Sequence, residues 1–472
     1  MHTGYENMNV LLILLDDLGW NDLGFKNKEI STPNIDFLFK DGCELDRNYT
    51  YTVCGPTRSM IQTGIHAYKT GTQRLINPWQ NAGLNSDIKL LPEYFKDLNY
   101  NTYCIGKWHL GHNERKYLPH KRGYDYHFGH LTGCVDQVTN KNCGFYSAAS
   151  LHDFSENGKP VYPKSRSCKA LTDKVIEIFD KSKDKNFIYL AYLDPHVPFV
   201  SPQKFKDIYK DKEISESRKE YLAMVSHVDF QIGRIIEKLK KENVYENTLI
   251  WLMSDNGGWT LNWTGGDNYP LSDGKCSFKE GGIRTLSVLK HKDIKIKKFE
   301  GFVHVTDVLP TLLDFCGSKV FADIDGKSVV KNLLENKKEK RNIVFSFFNE
   351  NVWCFLIDNL KFICTCPDGI KTLECYDVMN DPCETKNIIE EKYSLFEEKI
   401  KKQIKICSEE RVSENYDNMS KEEVEFFCKE IKYWGQQSKD QLKILNKDEK
   451  EDKGGTLNNF LEATGYDVFY DD

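Results

Sequence analysis

The sequence predicts an α/β protein with a large, mostly parallel sheet flanked by helices, followed by a smaller carboxy-terminal α+β subdomain carrying an antiparallel sheet. Three observations predict it. Four strand-like runs, Val10–Leu15, Asn101–Ile105, Phe187–Leu193 and Thr248–Met253, each end in polar, titratable residues, and the first has the continuous hydrophobicity of a strand buried on both faces. Helical periodicity lies between them. It is clearest in Tyr221–Glu242, where Leu222, Val225, Val228, Ile232, Ile235, Ile236 and Leu239 recur at helical spacing and Arg234, Lys238, Lys240 and Lys241 crowd the later turns. His227 and Asp229 lie in that helix body rather than at a strand end, and read as surface or structural groups. After about Val344 the pattern changes to short runs, Ile343–Phe348, Val352–Ile357 and Leu360–Cys364, separated by polar turns, which suits a small antiparallel sheet.

The 472 residues, 40% of them apolar and 12% aromatic, exceed one ordinary core and predict one large and one smaller domain. The expected division is a large α/β domain over 8–343, the subdomain with helices over 344–435, and an acidic tail over 436–472. Helices are expected over Glu390–Cys407 and from Ser420, where Ser420-Lys421-Glu422-Glu423 forms a capping box ahead of Val424, Phe427 and Trp434. The tail holds nine acidic and five basic residues, a net of −4 within a formal total of −6. This balance argues against a nucleic-acid or general polyanion binder.

Fifteen cysteines suggest an oxidising compartment, with disulfides or buried thiols and at least one unpaired cysteine. Cys354, Cys364, Cys366, Cys375 and Cys383 lack the regular Cys-x-x-Cys knuckles of a zinc site. Sequons stand at Asn48, Asn262 and Asn418. Met1–Asn9 is polar and Val10–Leu15 is too short for a signal core or a membrane span, so it reads as a strand. That start fits a mature end, a missing first exon or a cytosolic chain.

The chemistry-bearing residues gather at the strand ends. Asp16 and Asp17 follow the first run, Lys107 and His109 the second, His196 the third, Asp255 and Asn256 the fourth. Ligands bind beyond the carboxyl ends of strands in such sheets, so these residues predict one polar site. Adjacent carboxylates repel, and a cation between them is one remedy, a solvated loop the other. In Val53-Cys54-Gly55-Pro56-Thr57-Arg58, a cysteine opens an expected helix with a proline two residues on and an arginine four residues on. A free cysteine is most often a small buried hydrophobe. Here thiol, fixed turn and cation converge, as a nucleophile requires.

Cys54-x-Pro56-Thr57-Arg58 followed by Thr63-Gly64 resembles the sulfatase family's Cys-x-Pro-Ser-Arg-x-x-x-x-Thr-Gly segment, with Thr57 where serine is usual and Gln62 where an apolar residue is usual. Further matches run in the family's order: Asp16-Asp17-Leu18-Gly19-Trp20, Thr32-Pro33-Asn34, Gly106-Lys107-Trp108-His109-Leu110-Gly111, Asp255-Asn256-Gly257-Gly258, Lys275-x-Ser277-x-x-Glu280-Gly281-Gly282, and Tyr376-Asp377 before Asp381-Pro382. They cover most of residues 8–390. Asp16–Asp22 and Gly265–Leu271 look nearest to arylsulfatase B and its relatives, whereas Asn77–Gly83 lacks the cysteines expected of arylsulfatase B itself.

The resemblance implies a sulfuric ester hydrolase, acting on a sulfated saccharide or aryl sulfate and through it in glycosaminoglycan breakdown, with N-acetylgalactosamine 4-sulfate the leading sugar. It implies conversion of Cys54 to formylglycine by a formylglycine-generating enzyme, and a secretory, lysosomal or extracellular location. It implies one bound Ca2+, Mg2+ being less favoured, held by Asp16, Asp17, Asp255, Asn256 and the modified Cys54; their all-oxygen shell suits a hard cation. By the same resemblance one hydroxyl of hydrated formylglycine attacks sulfur and His109 deprotonates the other, so that the carbonyl reforms and sulfate leaves. Arg58 and Lys107 hold the formylglycine and the developing charge; His196 and Lys275, rather than Lys279, grip the sulfate. Two other readings remain open: a phosphate-ester hydrolase of the same superfamily, and a non-catalytic sulfatase-like binding protein.

Overall fold

The computed structural model describes residues 8–412 except 77–81, 143–151, 183, 262–263, 320–322, 340, 348–351, 366–371 and 411. Its main sheet contains β1 (Asn9–Leu15), β2 (Cys43–Tyr49), β3 (Asn101–Gly106), β4 (Tyr126–Gly129), β5 (Ser155–Glu156), β6 (Lys159–Pro160), β7 (Asn186–Ala191), β8 (Thr248–Ser254), β9 (Arg284–Thr285), β10 (Ser287–Lys290) and β11 (Lys298–His304). The order is β11-β2-β10-β8-β1-β7-β3-β4-β5-β6, with β9 on β2. Strands β8, β1, β7, β3 and β4 are mutually parallel, and β10 inserts antiparallel to both β8 and β2.

The first strand shows why the centre is parallel. Every residue of β1 is buried. Val10, Leu12 and Leu14 enter the core on one face, Leu11, Ile13 and Leu15 the core on the other, so helices must cover both sides. The helices Ser167–Lys181 and Glu216–Lys241 cover the second face. A truncation such as Leu12→Ala would cost about 2–5 kcal/mol in so closed a core.

Register brings the strand ends level. Leu14 pairs with Ala191 on β7 and Met253 on β8, and Gly106 on β3 pairs with the same Ala191. Asp16, Lys107 and Asp255 therefore leave one edge of the sheet side by side. Gly106 is required there: its φ is +111°, and a Cβ would stand 1.9 Å from the Ala191 carbonyl oxygen.

The carboxy-terminal sheet has four antiparallel strands in sequential order, β12 (Ile343–Phe347), β13 (Val352–Ile357), β14 (Leu360–Thr365) and β15 (Thr372–Asp377). The short runs predict three of these, and β12 begins one residue before the expected boundary. The helix Ile389–Glu410 packs Ile400 and Cys407 against Trp353, Phe355 and Phe362. The helix expected from Ser420 and the tail over 436–472 lie outside the described residues.

Cys134 and Cys364 apart, ten cysteines among the described residues are free thiols, and seven of these are buried, filling the cores as small apolar groups, one of the two expected arrangements. A sequon is corrected. Asn48 is buried within β2 and donates its amide to Thr285 Oγ1 at 2.9 Å, which leaves no room for a glycan. Asn262 and Asn418 lie outside the described residues. His227 and Asp229, read from the sequence as surface or structural groups, are both buried. Asp229 accepts the backbone N–H groups of Asn34 and Ile35 at 3.0 and 2.7 Å, capping the helix Pro33–Asp41.

Candidate active site

The helix Cys54–Thr63 starts with the thiol in its first turn, behind an extended Val53, and all ten of its residues are buried. Both departures from the usual segment have local work. Thr57 Oγ1 accepts the Tyr51 N–H at 3.0 Å, and Gln62 Oε1 accepts the Tyr124 hydroxyl at 3.0 Å. Four residues after the thiol, one turn along the helix, Arg58 reaches the strand ends.

The structure brings all ten expected site residues together. Arg58 Nη2 donates to Asp16 Oδ2 at 3.0 Å and to Asp255 Oδ2 at 2.8 Å, while its Nη1 donates to the Lys107 carbonyl. Lys107 Nζ lies 2.5 Å from Asp16 Oδ2. Asp17 receives Lys275 Nζ at 2.7 Å and Asn256 Nδ2 at 2.8 Å on Oδ1, with His196 Nε2 3.7 Å from Oδ2. Cys54 Sγ is 3.3 Å from His109 Nδ1. Ligand-capable atoms of Asp16, Cys54 and Asp255 lie within 4.8 Å of one another, as do those of Asp16, Asp17 and His196.

Backbone geometry serves this convergence. Asp17 and His109 have φ of +67° and +58°, an uncommon conformation that turns both side chains back over the strand ends. Gly133 lies flat against His109, where a Cβ would come within 2.4 Å of the ring. Lys275 Nζ stands 4.8 Å over the Trp259 ring, so the glycine-rich stretch that follows Asn256 and carries Trp259 forms a wall of the site. Lys279 is turned away onto Glu374 and the Tyr376 hydroxyl.

The electrostatics follow from burial opposed by neighbours. Burial would raise Asp16, but Lys107, His196, Arg58 and Lys275 outweigh it and hold the carboxyl below its ordinary range. Burial and the Asp16 charge push Asp255 up to about 6. Burial, with Lys107 and Arg58, keeps His109 well below its usual value and hence neutral. For His196, burial and Lys275 are outweighed by Asp17 and Asp16, which raise it; its Nδ1 is 2.5 Å from the Val197 carbonyl oxygen, fixing Nε2 toward Asp17. Burial raises the Cys54 thiol in spite of Lys107, so unmodified Cys54 is a poor thiolate nucleophile.

A divalent cation fits these residues. Asp16 Oδ1 and Asn256 Oδ1 are buried acceptors without a protein partner, and an acceptor in that position calls for a donor or a cation. Asp16, Asp17 and Asp255 balance Arg58, Lys107 and Lys275 in charge. A bound divalent cation therefore makes the pocket positive, which suits an anionic ester.

The arrangement can hold an ester-borne oxyanion against the side chain of residue 54, and this is the class that fold and site define. The chain belongs to the sulfatase family: the family pattern described as Sulfatase matches residues 8–318, and that of the N-sulphoglucosamine sulphohydrolase C-terminal region matches residues 275–410. It is similar to mouse arylsulfatase J, 33% identical over 352 residues, covering 72% of this chain and 58% of that protein, so the chain spans less than two thirds of that relative's length. It is also similar to human N-acetylgalactosamine-6-sulfatase, 27% identical, covering 71% of this chain and 68% of that one. The crystal structure of Ps i-CgsB in complex with k-i-k-neocarrahexaose superposes with a TM-score of 0.80 at 28% identity, covering 89% of this chain and 96% of that one. Among the described residues no helix is long and apolar enough to cross a membrane.

The sequence motifs do not mark Trp259 and Gly133 as site residues. Trp259 sits in a loop whose glycine and tryptophan content was the available signal; Gly133 carries none.

Proposed function

We propose that this protein is a sulfatase that hydrolyses a sulfate ester of a sugar, using a formylglycine made from Cys54 and a divalent cation, calcium in preference to magnesium. The observation that carries this reading is the placement of Cys54 Sγ, at a helix start, 3.3 Å from a neutral His109 and beside Asp16 and Asp255. When present, the aldehyde hydrate supplies the nucleophilic oxygen and the cation lowers its pKa and neutralises sulfate charge. Asp16, Asp17, Asp255 and Asn256 would hold that cation.

This chain's own groups then divide the remaining work. Arg58 fixes Asp16 and Asp255 and turns a cationic edge to the reacting centre. Lys107 and Lys275 neutralise charge spread over the sulfate oxygens, and such preorganised donors contribute most where water is excluded. His109, neutral and with Nδ1 directed at residue 54, takes the proton whose loss lets the enzyme release sulfate. His196, the histidine whose pKa is raised, carries a proton to the leaving alcohol oxygen.

A sulfated saccharide is the favoured substrate. The names of the relatives support a sugar: one is an N-acetylgalactosamine sulfatase and one holds a neocarrahexaose. A galactosamine 4-sulfate end is the first candidate, on the strength of the motifs shared with arylsulfatase B, and places the protein in the secretory pathway. The test begins with the mass of the Cys54 peptide from cells that contain the formylglycine-generating enzyme, where a loss of about 18 Da marks the aldehyde. Turnover of sulfated galactosamine oligosaccharides by that preparation follows. A fully modified protein that releases no sulfate from any ester would overturn the reading, and an unmodified thiol would leave a sulfate-binding protein.

A further inference from the structure

A second cluster of ligand-bearing side chains lies on the far side of β7's end. Cys168 comes from the helix Ser167–Lys181, Asp194 from the turn after β7, and His227 from the helix Glu216–Lys241. Their ligand-capable atoms all lie within 4.8 Å of one another. All three are buried, at 0%, 0% and 2% exposure.

His227 Nδ1 has no hydrogen-bond partner. Asp194 has none at close distance, its carboxylate being bordered by the Cys168 thiol and the Gln137 amide, with the Arg166 charge nearby. The other histidine nitrogen, Nε2, is 3.1 Å from Gln231 Nε2, which leaves Nδ1 as the nitrogen available to a ligand.

We propose that Cys168 Sγ, an Asp194 carboxylate oxygen and His227 Nδ1 form a structural site for a zinc-like divalent cation, separate from the catalytic cation site. A thiolate, a carboxylate and a neutral imidazole carry a charge of −2, so a divalent cation makes a neutral unit that a low-dielectric interior tolerates. Mixed sulfur, nitrogen and oxygen donors select zinc over calcium or magnesium, which take oxygen alone. Binding releases the Cys168 proton. With Nδ1 on the metal the ring proton moves to Nε2, and the Gln231 carboxamide turns to accept it while Arg234 keeps its 2.7 Å bond to Asp173. The site ties two covering helices to the turn from which His196 projects two residues later.

The test uses full-length protein in a Cys54→Ser background, which removes the catalytic thiol as a competing ligand. After dialysis against a weak chelator, elemental analysis should find one equivalent of zinc, and Cys168→Ser or His227→Ala should lose it. Exchange with Co2+ should give a thiolate-to-cobalt charge-transfer band in the near ultraviolet that disappears with Cys168→Ser, the fold being verified by circular dichroism. Absence of both retained zinc and the cobalt band from the folded Cys54→Ser protein overturns the proposal, whatever the fate of the variants. Survival of the band in Cys168→Ser also overturns it.

Discussion

Lys361 Nζ lies 2.9 Å from Glu280 Oε1, and both side chains are fully buried. Lys361 belongs to β14 of the small sheet, whereas Glu280 follows the loop that presents Lys275. The same ammonium meets Glu384 at 2.5 Å and the Phe278 carbonyl at 2.9 Å, so one lysine fastens the carboxy-terminal sheet beneath a wall of the active site. Lys361→Met should strip two buried carboxylates of their partner and cost about 3–5 kcal/mol. Urea unfolding checks this, as a lower midpoint against wild type.

Arg58 joins Asp16 and Asp255, two acids of the proposed cation site. Arg58→Lys keeps the charge but cannot span Asp16 and Asp255 from one planar fork. Activity on a sulfated substrate should fall about 10²–10³-fold, read as kcat/KM, while the Cys54 peptide retains the mass shift.

Lys275 and Lys279 are four residues apart and should behave oppositely. Lys275→Ala removes the ammonium on Asp17 and should lower kcat/KM about 10²–10³-fold. Lys279→Ala breaks contacts with Glu374 and Tyr376 away from the reacting centre and should leave the rate within several-fold. Equal losses in the two variants would reverse the assignment.

Chelation should lower the melting temperature of the mature protein, because Asp16 Oδ1 and Asn256 Oδ1 lose their partner. A cation at a hundred times its Kd contributes about 2.7 kcal/mol. Scanning fluorimetry should show recovery with Ca2+ at lower concentration than with Mg2+.

Acid should weaken the fold through histidines kept neutral by burial. Burial brings both His127 and His130 down to about 3, whereas an unfolded chain protonates near 6.5. The stabilisation from each is present above pH 6.5 and is lost progressively as pH falls toward 3, at up to about 1.4 kcal/mol per pH unit per histidine. Unfolding free energies at pH 7, 6 and 5 should fall in that order.

The ends of β1, β3, β7 and β8 were legible because a buried parallel strand writes a continuous apolar run and its functional residues follow it directly. Cys54, Arg58 and Lys275 were legible because their spacing lies within one turn or loop. What escaped depends on elements distant in the chain. Asp229 was placed in the helix expected over Tyr221–Glu242, but its bonds to Asn34 and Ile35 span 195 and 194 positions. Lys361 and Glu280 are 81 apart, and neither lies in an unusual local pattern. The antiparallel β10 is four residues long and leaves no periodic trace. The cysteine count pointed to disulfides or buried thiols, and number alone does not say which thiols the fold brings together.

The burial of Cys54, 3% exposed in a helix with no exposed residue, sets a deadline in biosynthesis. Once β8 has closed beside β1, no protein-sized modifier can reach that thiol. The interval between synthesis of residue 54 and residue 254 is about 10–40 s at ordinary translation speeds. On the proposed conversion of Cys54, maturation and folding are thus rivals on one clock, and a chain that folds first keeps its thiol.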